Sequence, residues 1–318
     1  MLDLALLGTG GSMPMPERFL SSLLIKYKGR KLLIDCGEGT QVSMRLLKWG
    51  FKSLDLILIS HCHGDHILGL PGLLTTIGNA GRKEPMVIMG PQGISNIMKG
   101  LLTAIPYLPY DVHIAEVSEL SIMVNFNDNG VELKELDEGN KSHGDLIIST
   151  LELDHSSPCI GYSLYVPRRP KFNPQKAISN GVPKKLWKSL QEGKPVTYEG
   201  KTFEPSMVLE GKRKGIKLSF ITDTRPIATI PDFIRGSQLF ICEGTYGDEK
   251  DIERAIENKH MLFSEAARLA YEGEVEELLL THFSTVMDKP EKYAENALRI
   301  FPNTTIGYDR LIRRLNYP

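Results

Sequence analysis

Residues 59–74 read Ile-Ser-His-Cys-His-Gly-Asp-His-Ile-Leu-Gly-Leu-Pro-Gly-Leu-Leu, and no other stretch constrains the fold as strongly. Four side chains able to ligate a metal, His61, His63, Asp65 and His66, fall within six positions. They follow Leu54-Asp55-Leu56-Ile57-Leu58-Ile59, an apolar run that suits a buried strand. After them Ile67-Leu68-Gly69-Leu70 can open a helix, with Pro71 confined to its first turn. A strand that ends in such a loop aims several side chains at one point. Imidazole nitrogen with carboxylate oxygen suits a borderline cation such as zinc. A solvated polar loop accounts for one or two histidines there, not for three and an aspartate.

The pattern recurs. Val275-Glu276-Glu277-Leu278-Leu279-Leu280-Thr281-His282 repeats Leu54 to His61 position by position: apolar, acidic, any, three apolar, hydroxyl, histidine. Between them, Leu151-Glu152-Leu153-Asp154-His155 alternates as a strand and ends in histidine, and Ile216 to Ile221 leads into Thr222-Asp223-Thr224. An internal echo of this kind predicts two similar halves that place ligands at one shared edge.

The rest of the chain alternates strands and helices. Leu2–Leu7, Leu23–Tyr27 and Lys31–Asp35 read as strands, the last two joined by a Lys28-Gly29-Arg30 turn. A helical pattern carrying Val42, Leu46 and Leu47 precedes Gly50, and Met86–Met89 is a short strand before a turn and another helix. No helix pattern follows Gly8-Thr9-Gly10-Gly11, which excludes a dinucleotide-binding fingerprint. His113 and His143 match no pattern and read as surface residues. The four cysteines, Cys36, Cys62, Cys159 and Cys242, are far apart with no Cys-x-x-Cys pair, which suits a reducing cytoplasm. Cys62, between two histidines on extended chain, should face away from them and pack. Leu2–Leu7 is too short for a secretion signal, and no run approaches a membrane span.

The net charge of −1 conceals an uneven distribution. From Arg168 to Lys217 there are 13 Lys and Arg against 4 Glu and no Asp, a net of +9, so the remainder carries −10. A basic segment on an acidic body points to a polyanionic partner more sharply than the total does. Pro167, Pro170, Pro174, Pro183, Pro195 and Pro205 forbid one continuous helix there. Ala177-Ile178 and Leu186-Trp187 with Leu190 can form brief helices in a module with little core of its own.

The His-x-His-x-Asp-His motif resembles the metallo-β-lactamase superfamily. Asp35-Cys36-Gly37-Glu38-Gly39-Thr40-Gln41 and Gly69-Leu70-Pro71-Gly72-Leu73-Leu74 look more specifically like its ribonuclease Z family. The likeness continues in order through His155-Ser156-Ser157-Pro158, Thr222-Asp223-Thr224-Arg225, Glu243-Gly244-Thr245-Tyr246, His260 and Thr281-His282-Phe283-Ser284. It implies an α/β fold, a four-layer αββα sandwich spanning residues 1–318 as a single domain, with a protruding basic arm inserted at about 167–206. It implies two zinc ions per chain, one on His61, His63 and His155, the other on Asp65, His66 and His282, with Asp223 bridging. Asp65 and His260 are the implied catalytic residues and Glu243 a residue that orients a ligand or His260. Lys184, Lys185, Trp187 and Lys188 are implied substrate contacts in the arm. The implied activity is that of a zinc-dependent endoribonuclease that removes the 3′ trailer from precursor tRNA by metal-hydroxide attack, leaving a 3′-hydroxyl. The implied partners are precursor tRNA and a second copy of the chain in a cytoplasmic homodimer, with no membrane.

A related dinuclear-zinc phosphodiesterase or sulfatase acting on small esters is the alternative, and it would not need the basic arm. A non-catalytic RNA-binding member would be expected to have lost ligands. Three departures bear on substrate contacts: Thr285-Val286-Met287 stands where the family has Arg-Tyr, Val182-Pro183-Lys184 where it has Gly-Pro, and Tyr308-Asp309-Arg310 where it has Asp-Gly.

Overall fold

The computed structural model describes residues 1–127, 130–136 and 144–318, and His143 lies outside the described residues. One sheet of seven strands runs in the order β17 (Ile312–Leu315), β1 (Leu2–Gly8), β2 (Ser22–Tyr27), β3 (Arg30–Ile34), β4 (Leu54–Leu58), β5 (Met86–Gly90), β6 (Val112–Glu116). A second sheet of eight runs β16 (Thr304–Ile306), β15 (Leu278–Thr281), β14 (Leu239–Glu243), β13 (Arg213–Ile221), β10 (Ile160–Arg168), β9 (Leu146–Glu152), β7 (Ser121–Asn127), β8 (Gly130–Glu135). Strands β3 to β6 are parallel to one another, and so are β13 to β16.

Every residue of β4, β14 and β15 is buried, so these strands are covered on both faces. Helices supply the outer cover. Met44, Leu73, Leu74, Ile77, Ile94 and Met98, from three helices, share one core with Leu24, Leu33 and Ile57 of the first sheet. Phe263, Ala266, Ala267 and Ala270 of the helix Phe263–Glu272 share another with Phe240, Cys242, Leu278 and Leu280 of the second. The result is the expected α/β sandwich of two sheets. Its parallel strands all deliver their carboxyl ends to one edge, the place where open parallel sheets present side chains to ligands.

One local reading is corrected. Val42 and Leu46 of the helix Thr40–Leu47 are exposed, while Thr40, Ser43 and Met44 are buried. Polar residues face inward there because each satisfies a backbone carbonyl: Thr40 Oγ1 donates to Gly37 O at 2.7 Å and Ser43 Oγ to Leu7 O. The segment after the ligand loop opens a helix with Pro71 in its first turn, as expected. The short helix Gly64–Ile67 precedes it, and the chain breaks before Leu70–Asn79. The break at Gly69 lets the backbone approach so closely that a Cβ there would lie 2.3 Å from Gly37 O.

The chain divides into two compact units, Met1–Val166 with Ile216–Asn316, and Pro167–Gly215 with Tyr317–Pro318. The second contains the helix Pro174–Ser179, capped by Asn173, the helix Trp187–Gln191, and a hairpin of β11 (Val196–Tyr198) and β12 (Lys201–Phe203). Its brief helices lie where the apolar patches were. The expectation of little internal core is corrected: Ala177, Val182, Leu186, Leu190, Phe203, Val208 and Leu209 form a buried cluster of their own. Spaced apolar residues across the prolines are brought together by the turns those prolines permit. Among the described residues no helix is long and apolar enough to cross a membrane.

Candidate metal centre

Each cluster residue sits at or just past the carboxyl end of a strand. His61, His63, Asp65 and His66 follow β4, His155 follows β9, Asp223 follows β13 and His282 follows β15. Asp35, Asp223 and His282 adopt left-handed backbone, with φ of 60°, 49° and 56°. Such conformations are costly for non-glycine residues and persist where the surrounding structure holds them. Here the sharp turn directs the side chain to the sheet edge instead of continuing the strand.

The side chains converge in two overlapping groups. His63 Nδ1 lies 3.1 Å from His61 Nε2 and 3.2 Å from His155 Nε2. His66 Nε2 and His282 Nε2 are 3.1 Å apart, with Asp65 Oδ2 at 3.6 and 3.4 Å from them. Asp223 joins the groups: Oδ1 is 3.8 Å from His61 Nε2, and Oδ2 is 3.3 Å from both His66 Nε2 and His282 Nε2. Three-ligand sets can be drawn as His61, His63, His155; His61, His66, Asp223; Asp65, His66, His282; and Asp223, His260, His282.

The outward nitrogens explain why this donor set fits a cation. His66 Nδ1 is 2.8 Å from Asp35 Oδ2, so it donates to that carboxylate. Ser60 Oγ gives its proton to the same Asp35 oxygen at 2.8 Å and therefore accepts from His61 Nδ1 at 3.1 Å. Thr245 Oγ1 gives its proton to Glu243 Oε2 and accepts from His282 Nδ1 at 3.1 Å. His155 Nδ1 faces the Lys259 carbonyl at 3.4 Å. With Nδ1 protonated in four rings, their Nε2 atoms turn lone pairs inward, toward two carboxylates. Such fixed tautomers are how proteins orient imidazole ligands. Lone pairs 3.1 Å apart repel unless a proton or a cation lies among them. Burial opposes a charge on His66, but Asp223 and Asp35 outweigh it and raise its pKa well above the usual imidazole range. Burial, followed by His66, holds His61 well below that range. A divalent ion held by these residues would take the place of the shared proton and accept more of these lone pairs at once.

His260 stands beside this cluster. Its Nδ1 is 3.2 Å from Glu243 Oε2 and 3.7 Å from Asp223 Oδ1. Burial works against its charge, but Glu243, the hydrogen bond to it, Asp223 and Asp65 raise the pKa to about 9. Glu243 is fully buried and also accepts from the Thr224 amide at 2.7 Å and the Met261 amide at 3.1 Å. Arg225 Nη1 donates to the His260 carbonyl, and the guanidinium pairs with Glu265 at the start of the helix Phe263–Glu272.

The curated relatives decide the family. Over 317 residues the chain is 53% identical to a ribonuclease Z of Alkaliphilus oremlandii, a match covering 100% of this chain and 99% of that one. Over 318 residues it is 55% identical to a ribonuclease Z of Clostridium perfringens, with 100% and 99% covered. The chain belongs to the ribonuclease Z family. Two solved structures share the fold of this ribonuclease Z-family chain. The metallo-β-lactamase fold protein YhfI from Bacillus subtilis matches with TM-score 0.66 at 18% identity, covering 99% of this chain and 100% of that one. Human tRNase Z, short form (ELAC1), matches with TM-score 0.64 at 22% identity, covering 99% of both chains. Residues 2–105 also match the family model described as Anti-Pycsar protein Apyc1.

Some residues around the centre of this family member carried no role in the sequence reading. Asp35, Ser60 and Thr245 fix the tautomers, and of these only Ser60 carried a local signal, a hydroxyl beside a strand-end histidine, whereas Asp35 and Thr245 reach their rings from 31 and 37 positions away. The Ser12 amide donates to Asp65 Oδ2 at 2.7 Å from a residue with φ of 67°. Gly11 passes so near His282 that a Cβ would lie 2.5 Å from its ring. Asp309 braces the same loop, accepting from Thr9 N, Thr9 Oγ1 and Phe19 N at 3.0, 2.8 and 2.7 Å. Arg18 caps the carbonyls of Ser284, Met287 and Asp288, the segment where the family's Arg-Tyr is missing. Cys62 packs against the first core, and burial pushes its thiol up to about 11. His113 lies exposed on β6. In the second unit Lys184, Lys185 and Lys188 are exposed. Trp187 is half-buried, gives its indole N–H to Val182 O at 3.0 Å and packs on Phe172 at 5.1 Å.

Proposed function

We propose that this ribonuclease Z-family enzyme cleaves precursor tRNA just after the discriminator base, releasing the 3′ trailer and leaving a 3′-hydroxyl. The observation that carries this reading is the inward-facing set of five imidazoles and two carboxylates, on a chain 53% identical end to end to a ribonuclease Z. His61, His63 and His155 would hold one zinc, Asp65, His66 and His282 the other, and Asp223 both. Bound there, two divalent cations would polarise the phosphoryl oxygens and acidify a water enough for attack near neutral pH.

The chain's own groups do the rest. Asp65, with Oδ2 held by the Ser12 amide, orients the attacking water and accepts its proton. His260 keeps Nδ1–H on Glu243, which leaves Nε2 to stabilise charge on the phosphoryl group or to protonate the departing 3′ oxygen. Glu243 fixes the ring in that orientation. Exposed Lys184, Lys185 and Lys188 of the basic unit hold RNA phosphates, which positions a substrate without reading its sequence. Trp187 supports them by packing. The family likeness further supports a cytoplasmic homodimer, which sedimentation of the purified protein would test.

The decisive experiment incubates the zinc-loaded protein with end-labelled precursor tRNA and sequences the product ends, beside a small diester such as bis(p-nitrophenyl) phosphate. Trailer release with a 3′-hydroxyl is expected, together with about two zinc ions per chain by elemental analysis. Hydrolysis of the small diester with intact precursor tRNA would favour the small-ester phosphodiesterase instead.

A further inference from the structure

The far end of the seven-stranded sheet carries a basic cleft that the proposed cleavage does not use. β3 and β4 are parallel, so Arg30 and Leu54 begin the strands whose other ends deliver Asp35 and His61. Five residues at about 3.3 Å each put roughly 17 Å between those ends. At the near end Arg30, Lys31, Lys52 and Arg82 line an open cleft of about 500 Å³ together with two acids, Asp55 and Glu84, and with Trp49 and Ser53 on its wall.

Its cations outnumber their partners. Asp55, fully buried, accepts from Arg30 at 2.6 and 2.8 Å and from Arg82 at 3.1 Å. Arg82 spends further N–H groups on the carbonyls of Lys52, Glu84 and Pro85. Arg30 uses Nε and Nη2 on Asp55, so Nη1 is not engaged by that carboxylate. Lys31 is only 4% exposed, and its ammonium donates to Ser53 Oγ, with two N–H groups over. Burial and then Lys26 lower the Lys31 pKa against the pull of Asp55. Lys26 itself lies over the Trp49 ring at 5.8 Å. A buried ammonium with one neutral partner is costly, and an oxyanion with several acceptor oxygens would relieve it. A tetrahedral phosphate fits that need, and the cleft has room for the group it esterifies.

We propose that this cleft is a second, non-catalytic site for the phosphate group of a phosphate ester, either a small phosphorylated molecule or the RNA backbone. Trp49 and Trp187 are the chain's two tryptophans, so in the Trp187→Phe protein the fluorescence reports this cleft and not the metal centre. Ribose 5-phosphate, inorganic phosphate and precursor tRNA would each be titrated at constant ionic strength, with chloride as control. A saturable change with the phosphates and none with chloride is expected. Lys31→Met should raise the half-saturating concentration about tenfold or more, the loss of a hydrogen bond to a charged group. Lys52→Gln, on an exposed side chain that the fold does not depend on, should raise it severalfold. A response to precursor tRNA that Lys31→Met or Lys52→Gln weakens assigns the RNA backbone as the source. A response confined to the small phosphates assigns a phosphorylated small molecule. No saturable change with any phosphate, or one that neither variant weakens, overturns the site.

Discussion

At the metal centre each buried imidazole has one nitrogen tied to an oxygen outside the cluster, so the partner decides which nitrogen can ligate. Asp35 serves two rings at once, directly through His66 and through Ser60 to His61. Asp35→Asn should therefore weaken zinc binding by roughly 10- to 100-fold, measured by competition with a chromogenic chelator. Unchanged affinity would show that packing alone sets the two rings. Gly11→Ala places a methyl against His282 and should lower zinc occupancy at limiting metal, measured on protein shown to be folded by circular dichroism. Asp65→Ala and His260→Ala separate chemistry from binding. Each should still bind precursor tRNA, while His260→Ala lowers kcat by roughly 10²–10⁴. Normal turnover of His260→Ala at saturating substrate would remove it from the mechanism.

At the scale of elements, the parallel strands explain how residues far apart in sequence reach one edge. Strand, apolar core and the candidate ligand at each strand end were all legible, because side-chain alternation and residue chemistry are local properties. The helix Thr40–Leu47 was legible as a helix but not in its orientation. Its apolar residues Val42 and Leu46 stay outside because the backbone carbonyls of Leu7 and Gly37 need the hydroxyls of Ser43 and Thr40. The same sheet carries a buried ionic knot, Asp55 between Arg30 and Arg82, that no periodicity reveals. Asp55→Ala should cost about 3–5 kcal/mol in chemical denaturation, since it leaves the fully buried Arg82 without its counter-charge. A cost under about 1 kcal/mol would mean that the carbonyls around Arg82 suffice.

At the scale of the whole molecule, the acidic body and the basic segment divide the work proposed for them. Replacing residues 168–204 by a short Gly/Ser linker should spare the zinc content and the hydrolysis of bis(p-nitrophenyl) phosphate. It should weaken precursor-tRNA binding and flatten its salt dependence, because fewer counterions are released per complex. Equal affinity and salt slope in the folded deletion variant would reduce the segment to a solvated surface. The small core around Leu190 and Phe203 was missed because its members are scattered between prolines, and only the turns bring them together. By itself the sequence determined the strand that carries each candidate ligand, the chemistry of those ligands and the uneven charge, all of which are properties of short segments. Tertiary structure alone decided which nitrogen of each ring faces inward, that an amide of the Gly-rich loop holds Asp65, and that His66 meets His282 across 216 positions of chain. A hydrogen-bond partner is chosen by distance and direction in space, and residues that far apart acquire both only when the two sheets have packed.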